Sequence, residues 1–268
     1  MPLLPFKSRF EDRHFDLRGH RALVIMTSRG TLDHVNPDTG EVLKVGKPTG
    51  VYASEMTEPY YVFLDAGMQV DVASIRGGEI PIEPISIRPI MRTEHDARFL
   101  KDADFQYKAK HSQCIDDLDF LNYDVIFIAG GWGASYDLAQ SKVLGEKISQ
   151  AYAAKKILGS VCHGALGFMS AVKPDGSPLV QGVRMTGVTN RQLEKLGITH
   201  TPKHPESELR KAGAVYESTS NPLTDLFANH VTVDEQHRIV TAQNQKGGVE
   251  AAQKALDLLL KVRQAQAA

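Results

Sequence analysis

Four short apolar runs constrain what this chain can fold into. They are Arg21 to Thr27 (RALVIMT), Gln69 to Ser74 (QVDVAS), Asp124 to Ala129 (DVIFIA) and Ile157 to Val161 (ILGSV). Each is too short for a buried helix and rich in aliphatic side chains. Runs that stay apolar along most of their length suit parallel strands covered on both faces. Helical stretches fit between them. Ser54 to Ala66 precedes the second run and Tyr136 to Ala154 the fourth. Val249 to Val262 follows Gly247-Gly248 and places Val249, Ala252, Leu256 and Leu259 on one face. This alternation predicts an α/β fold: a doubly wound, mostly parallel sheet with helices on both faces.

A length of 268 residues admits one large domain or two small ones. Two Gly- and Pro-containing stretches, Ser28 to Gly50 and Ile75 to Asp104, follow predicted strands. They read as loops at the sheet's edge rather than as linkers. The expected organisation is a single domain over 1–268. It carries an N-terminal extension (about 1–20) and loop insertions (about 28–50 and 75–104).

Charge and cysteine content narrow the function classes. The net charge of −1 comes with no basic or acidic block, so neither nucleic acid nor an anionic membrane is an expected partner. Two cysteines, Cys114 and Cys162, make neither a disulfide framework nor a four-cysteine zinc site. The first residues, MPLLPFKSRFEDRHFDLRGH, show neither a signal peptide nor an anchor, and no run is long enough to span a bilayer. A cytoplasmic location with reduced thiols is the expectation. His34, His95, His111 and His204 lack metal-ligand spacing and read as solvated loop histidines, so no metal is expected.

The sharpest local pattern is Gly159-Ser160-Val161-Cys162-His163-Gly164-Ala165. A buried strand enters a turn of small residues and then a helical stretch, Ala165 to Ala171. A nucleophile in a strained turn needs small residues two before and two after it, and Ser160 and Gly164 comply. Cys162 would stand at the sheet's carboxyl edge, where backbone N–H groups favour a thiolate and lower its pKa. His163 supplies a base beside it. Cys114 lacks such a context and reads as structural.

Ile128-Ala129-Gly130-Gly131-Trp132-Gly133-Ala134 places three glycines after another buried strand. Neither GxGxxG nor a P-loop is present, so a nucleotide site has little support. Its exposed N–H groups suit an oxyanion hole, and positive φ alone could also explain the glycines. Glu55 lies near the start of the Ser54 helix, where a lone Glu ordinarily complements the dipole.

In this order, PTGVYASE with AGMQVDVAS, IAGGWGASYDL and VCHGALGF resemble the ThiJ/PfpI superfamily, of class I glutamine amidotransferase-like, flavodoxin-like fold. Within it the chain is most similar to the branch of heat-shock chaperones and glutathione-independent glyoxalases (glyoxalase III). The resemblance implies Cys162 as nucleophile, His163 as its partner and Glu55 as a protonated carboxyl facing the sulfur. It implies Gly131 and the His163 N–H as oxyanion donors, with Gly130, Trp132 and Gly164 around the substrate. The implied reaction converts methylglyoxal to lactate without cofactor, and the implied assembly is a homodimer. The sequence departs from this pattern twice. Relatives usually carry His where Trp132 stands. The third acid, counted from Thr186-Gly187-Val188-Thr189-Asn190, falls at Leu193, with Glu194 next to it. Either Glu194 serves or the acid is absent. Two alternatives stay open: another Cys-dependent hydrolase or hydratase, or a non-enzymatic holdase chaperone or redox sensor.

Overall fold

The computed structural model describes residues 13–36, 39–220 and 228–267. The early part of the chain forms β1 (Arg21–Met26), β2 (His34–Val35), β3 (Val42–Lys44), α1 (Ala53–Asp65) and β4 (Gln69–Ser74). Next come α2 (Glu94–Phe99), α3 (Ala103–Lys110), β5 (Gln113–Cys114), β6 (Val125–Ile128), α4 (Ala134–Asp137), α5 (Lys142–Ala153) and β7 (Ile157–Val161). The rest holds β8 (Arg184–Met185), α6 (Asn190–Leu196), α7 (Pro205–Lys211), β9 (Val215–Tyr216), β10 (Val231–Asp234), β11 (Ile239–Ala242) and α8 (Gly248–Ala267).

Seven strands make one sheet in the order β10-β11-β7-β6-β1-β4-β5. All its pairings are parallel except β10 with β11. The mostly parallel α/β sheet expected from the apolar runs is therefore present. Alternation along β1 divides the core. Ala22, Val24 and Met26 pack on one face with Met56, Tyr60 and Phe63 of α1 and Leu256 of α8. Leu23 and Ile25 pack on the other with Leu144 and Ile148 of α5 and with Phe168. From β1 the chain moves to β4 and β5 on one side, then returns to β6 and β7 on the other. The crevice outside the carboxyl ends of β1, β6 and β7 is thus the switch point where such sheets carry their sites.

Several local expectations need correction. The predicted Tyr136–Ala154 helix is two helices, because Ser141 accepts a hydrogen bond from the Leu144 N–H and starts α5 afresh. The stretch read as helix from Ala165 is a 3₁₀ turn over Cys162–Phe168. The two supposed loops are partly structured. Residues 28–50 contain β2 and β3, paired antiparallel. Residues 75–104 contain α2, opened by a capping box of Thr93 and Asp96. Strands β10 and β11 were not anticipated. Of the supposed N-terminal extension, residues 1–12 lie outside the described residues. Arg13 pairs with Asp257 of α8, and Leu17 N–H bonds Ala66 O, so the following segment is tied to the body. No helix among the described residues is long and apolar enough to cross a membrane.

Candidate active site

Cys162 is the first residue beyond β7, and its φ is +58°. A non-glycine residue in this left-handed region is strained and persists only where its surroundings hold it. The holding contacts are visible. A side chain at Gly164 would stand 2.1 Å from the Ile128 carbonyl oxygen, so the turn lies directly on the end of β6. Gly164 thus permits close packing of the turn on β6. Cys162 is only 7% exposed and His163 2%. The Cys162 sulfur lies 3.4 Å from His163 Nδ1.

Glu55 reaches the same place from the first turn of α1. Ser86, from the second long segment, accepts the Ala53 N–H at 3.0 Å and fixes the start of that helix. Val51 bonds Pro81 O through its N–H and accepts from Glu83 N–H, so the two long segments clasp each other beside the site. The Gly130 loop closes the arrangement. A side chain at Gly130 would meet Glu55 Oε2 at 2.5 Å and the His163 nitrogen at 2.6 Å. Only glycine lets the carboxyl, the loop and the cysteine turn approach this closely. Gly131 has φ +91°, and Gly50 O and Tyr52 N occupy the space beside it. Below the loop, Asp137 accepts from Thr27 Oγ1 and the Ser28 N–H, tying the end of β1 to α4. Burial pushes the Asp137 carboxyl up to about 6.

Electrostatics at the site are dominated by burial. Burial pushes Glu55 up to about 8, opposed by the Cys162 thiol and the N–H groups of Gly130 and Gly131. Burial also pushes the Cys162 thiol well up, and a charged Glu55 would push it further. The N–H groups of His163 and Gly131 pull it back. Burial, then the nearby His204, lowers His163 to about 3. Near neutral pH the three groups are therefore an acid, a thiol and a neutral imidazole. This corrects the expectation of a lowered thiol pKa: the N–H groups are present, but desolvation outweighs them. Alkylation by iodoacetamide should accordingly keep accelerating beyond pH ~8.5, the range of a free thiol. A plateau reached below pH 7 would show that the thiolate is preformed.

Over residues 45–258 the chain matches the DJ-1/PfpI family. The chain belongs to that family. A glutathione-independent glyoxalase of Schizosaccharomyces pombe is 29% identical over 228 residues, covering 81% of this chain and 91% of that protein. The crystal structure of glyoxalase III from Candida albicans aligns with a TM-score of 0.76 and 26% identity, covering 89% of this chain and 97% of that one. The Francisella tularensis Rapid Encystment Protein 24 kDa aligns with a TM-score of 0.78 and 28% identity, covering 90% of this chain and 99% of that one.

Leu193 is 1% exposed and belongs to the same apolar cluster as Cys162 and Val188. Glu194, one position on, is exposed to solvent on α6. Glu194 is therefore not the third acid, because a helix turns neighbouring side chains by about 100°. Trp132 is half-buried, with its ring 5.0 Å from that of His163 and tilted by 54°. It forms an apolar wall over the imidazole. Two further groups lie beside the site. Tyr52, before α1, feels the charges of Glu55 and Cys162, after burial, as upward pushes on its phenol. His204 is half-buried rather than solvated. Neither position carries a local signal, since only the tertiary fold brings it near His163 or Glu55. Cys114, by contrast, sits on β5 with its sulfur 3.6 Å from Ile75 O, away from this chemistry. Among the described residues no group of three or more His, Cys, Asp or Glu could hold a metal ion.

Proposed function

We propose that this chain is a glutathione-independent glyoxalase that converts methylglyoxal to lactate without a cofactor. The observation that carries the reading is the enclosed convergence of Cys162, His163 and Glu55 beside the Gly131 N–H. A nearly closed site suits a very small substrate, and relatives over most of the chain bear the name of this activity.

The chemistry follows from the protonation states. The Cys162 sulfur adds to the aldehyde carbon as its proton moves to His163 Nδ1, forming a carbon–sulfur bond and an alkoxide. The N–H groups of Gly131 and His163 favour negative charge at the sulfur and would receive the developing oxyanion beside it. The aldehyde hydrogen then leaves as a proton and the neighbouring carbonyl carbon gains one, through an enediol. Glu55, protonated near neutral pH, supplies a proton for the second carbonyl. The product of this shuffle is a lactoyl thioester. Water cleaves it, releasing lactate and restoring the thiol. Atoms balance as methylglyoxal plus water giving lactate and a proton.

The test is lactate formation from methylglyoxal by the purified protein in glutathione-free buffer. Turnover is expected, and its absence across pH 6 to 8 would reject the assignment. A redox-sensor role draws less support, because the thiol is buried and its pKa is pushed up rather than down.

A further inference from the structure

His163 has two ring nitrogens with opposite situations. Nδ1 faces the Cys162 sulfur at 3.4 Å. Nε2 is buried and has no hydrogen-bond partner. For Nδ1 to take the thiol's proton, the ring hydrogen must sit on Nε2. That tautomer needs an acceptor at Nε2, which is the service an acid renders in a catalytic triad. Leu193 cannot provide it and Glu194 points to solvent.

Among the described residues, the other carboxylates of this region are committed elsewhere. Glu206 accepts from the Asn190 N–H and from Arg210. Glu208 pairs with Lys203. Glu217 holds Arg184, His230 and Thr232.

One group remains. His204 immediately precedes α7, and α7 packs against the Cys162–Phe168 turn. Leu209 of α7 shares a buried cluster with Ala165, Leu166 and Phe168 of the turn. A side chain at Gly187 would lie 3.0 Å from both the Cys162 carbonyl oxygen and Pro205 Cβ, so the backbone next to His204 runs close by the cysteine. Like His163, His204 has a buried Nε2 without a partner. Its side chain makes no capping bond to α7. A capping role therefore does not account for the residue.

We propose that His204 replaces the missing triad acid as a positioning residue. Its Nε2 lone pair accepts the hydrogen bond from His163 Nε2–H, and this leaves the Nδ1 lone pair aimed at the thiol. The bond is open in this structure, as both nitrogens lack partners, and catalytic hydrogen bonds commonly close only with substrate bound. The influence of His204 on His163 supports the juxtaposition. An imidazole nitrogen is a weaker acceptor than a carboxylate, but it places no anion in a site where burial disfavours charge. The acceptor then comes from the residue that precedes α7 and not from α6.

The proposal rests on the Cys162–His163 pair and not on the identity of the substrate. Its first test is the nitrogen NMR signature of His163 in ¹⁵N-labelled protein, with a bound methylglyoxal-sized carbonyl analogue. The wild type should show a protonated Nε2 and a bare Nδ1. His204→Ala should lose that preference, and His204→Gln, whose amide oxygen can accept, should keep it. Where methylglyoxal is turned over, His204→Ala should lower kcat/KM by about 10- to 100-fold, less than the ~10⁴-fold cost of removing a charged orienting acid. His204→Gln should recover most of the loss. An unchanged His163 tautomer in His204→Ala would overturn the proposal. A wild type inert towards methylglyoxal would refute the glyoxalase reading, while the NMR comparison still decides the role of His204.

Discussion

Replacing Cys162 with alanine is expected to reduce lactate formation from methylglyoxal by at least ~10³-fold, to the level of free solution. In the proposed mechanism the sulfur forms the covalent bond on which every later step depends. Cys114 lies on the edge strand β5 and cannot substitute. The fold should survive, because alanine fits the space and gives up only one buried sulfur. The Cys162 φ of +58° would still have to be held by the turn, so a small fall in melting temperature is expected. Lactate release and circular dichroism, measured on the same sample, check this. A folded Cys162→Ala variant retaining more than about a tenth of wild-type kcat/KM would remove covalent catalysis from the mechanism.

The second large effect is expected at Glu55. Glu55→Gln keeps the shape and a hydrogen-bond donor but cannot transfer a proton. A positioned acid or base typically contributes about 10²- to 10⁴-fold, and kcat/KM should fall within that range. The pH dependence identifies the residue more sharply. Burial pushes the folded carboxyl up from 4.5 to about 8, so wild-type activity should decline as pH rises through about 8. Above that value Glu55 is a carboxylate: it has no proton to give and it repels the thiolate. Stability is linked with the same sign. The contribution of this carboxyl is full below pH 4.5, weakens as pH rises, and is gone above about 8. The amide variant has no such linkage. Relative to wild type, Glu55→Gln should therefore gain melting temperature between pH 5 and about 8 and then level off. A constant difference across that range would mean that Glu55 is not held protonated by the fold.

The same burial explains why a cysteine so strongly marked in the sequence behaves differently from its local motif. The turn Ser160 to Gly164 displays what a strained nucleophile needs: small flanking residues and backbone N–H groups around the sulfur. Those are short-range features, and they are present. The thiol's pKa depends instead on how much water reaches the sulfur. That is decided by Gly130, Glu55 and Trp132 closing in from other parts of the chain. In the proposed mechanism reactivity is gained in the transition state, when the thiol proton leaves for His163, rather than stored beforehand as a thiolate.

The chain's own order of residues determined the sheet and the cysteine turn. Gln69–Ser74 and Ile157–Val161 run as anticipated, and the other two runs match β1 and β6 to within a residue at either end. They were legible because a strand buried on both faces must be apolar along nearly its whole length, which is a local demand. Short edge elements such as β5, and strands such as β10 that alternate between buried and half-buried positions, carry weaker patterns. Tertiary structure alone decided which distant residues share the site. It brought Glu55 to Cys162, left Glu194 in solvent, seated Leu193 in the core and carried His204 towards His163. Those placements depend on how α1, α6 and α7 dock on the cysteine turn. Docking is a sum of many packing contacts, and no single position in the sequence records it.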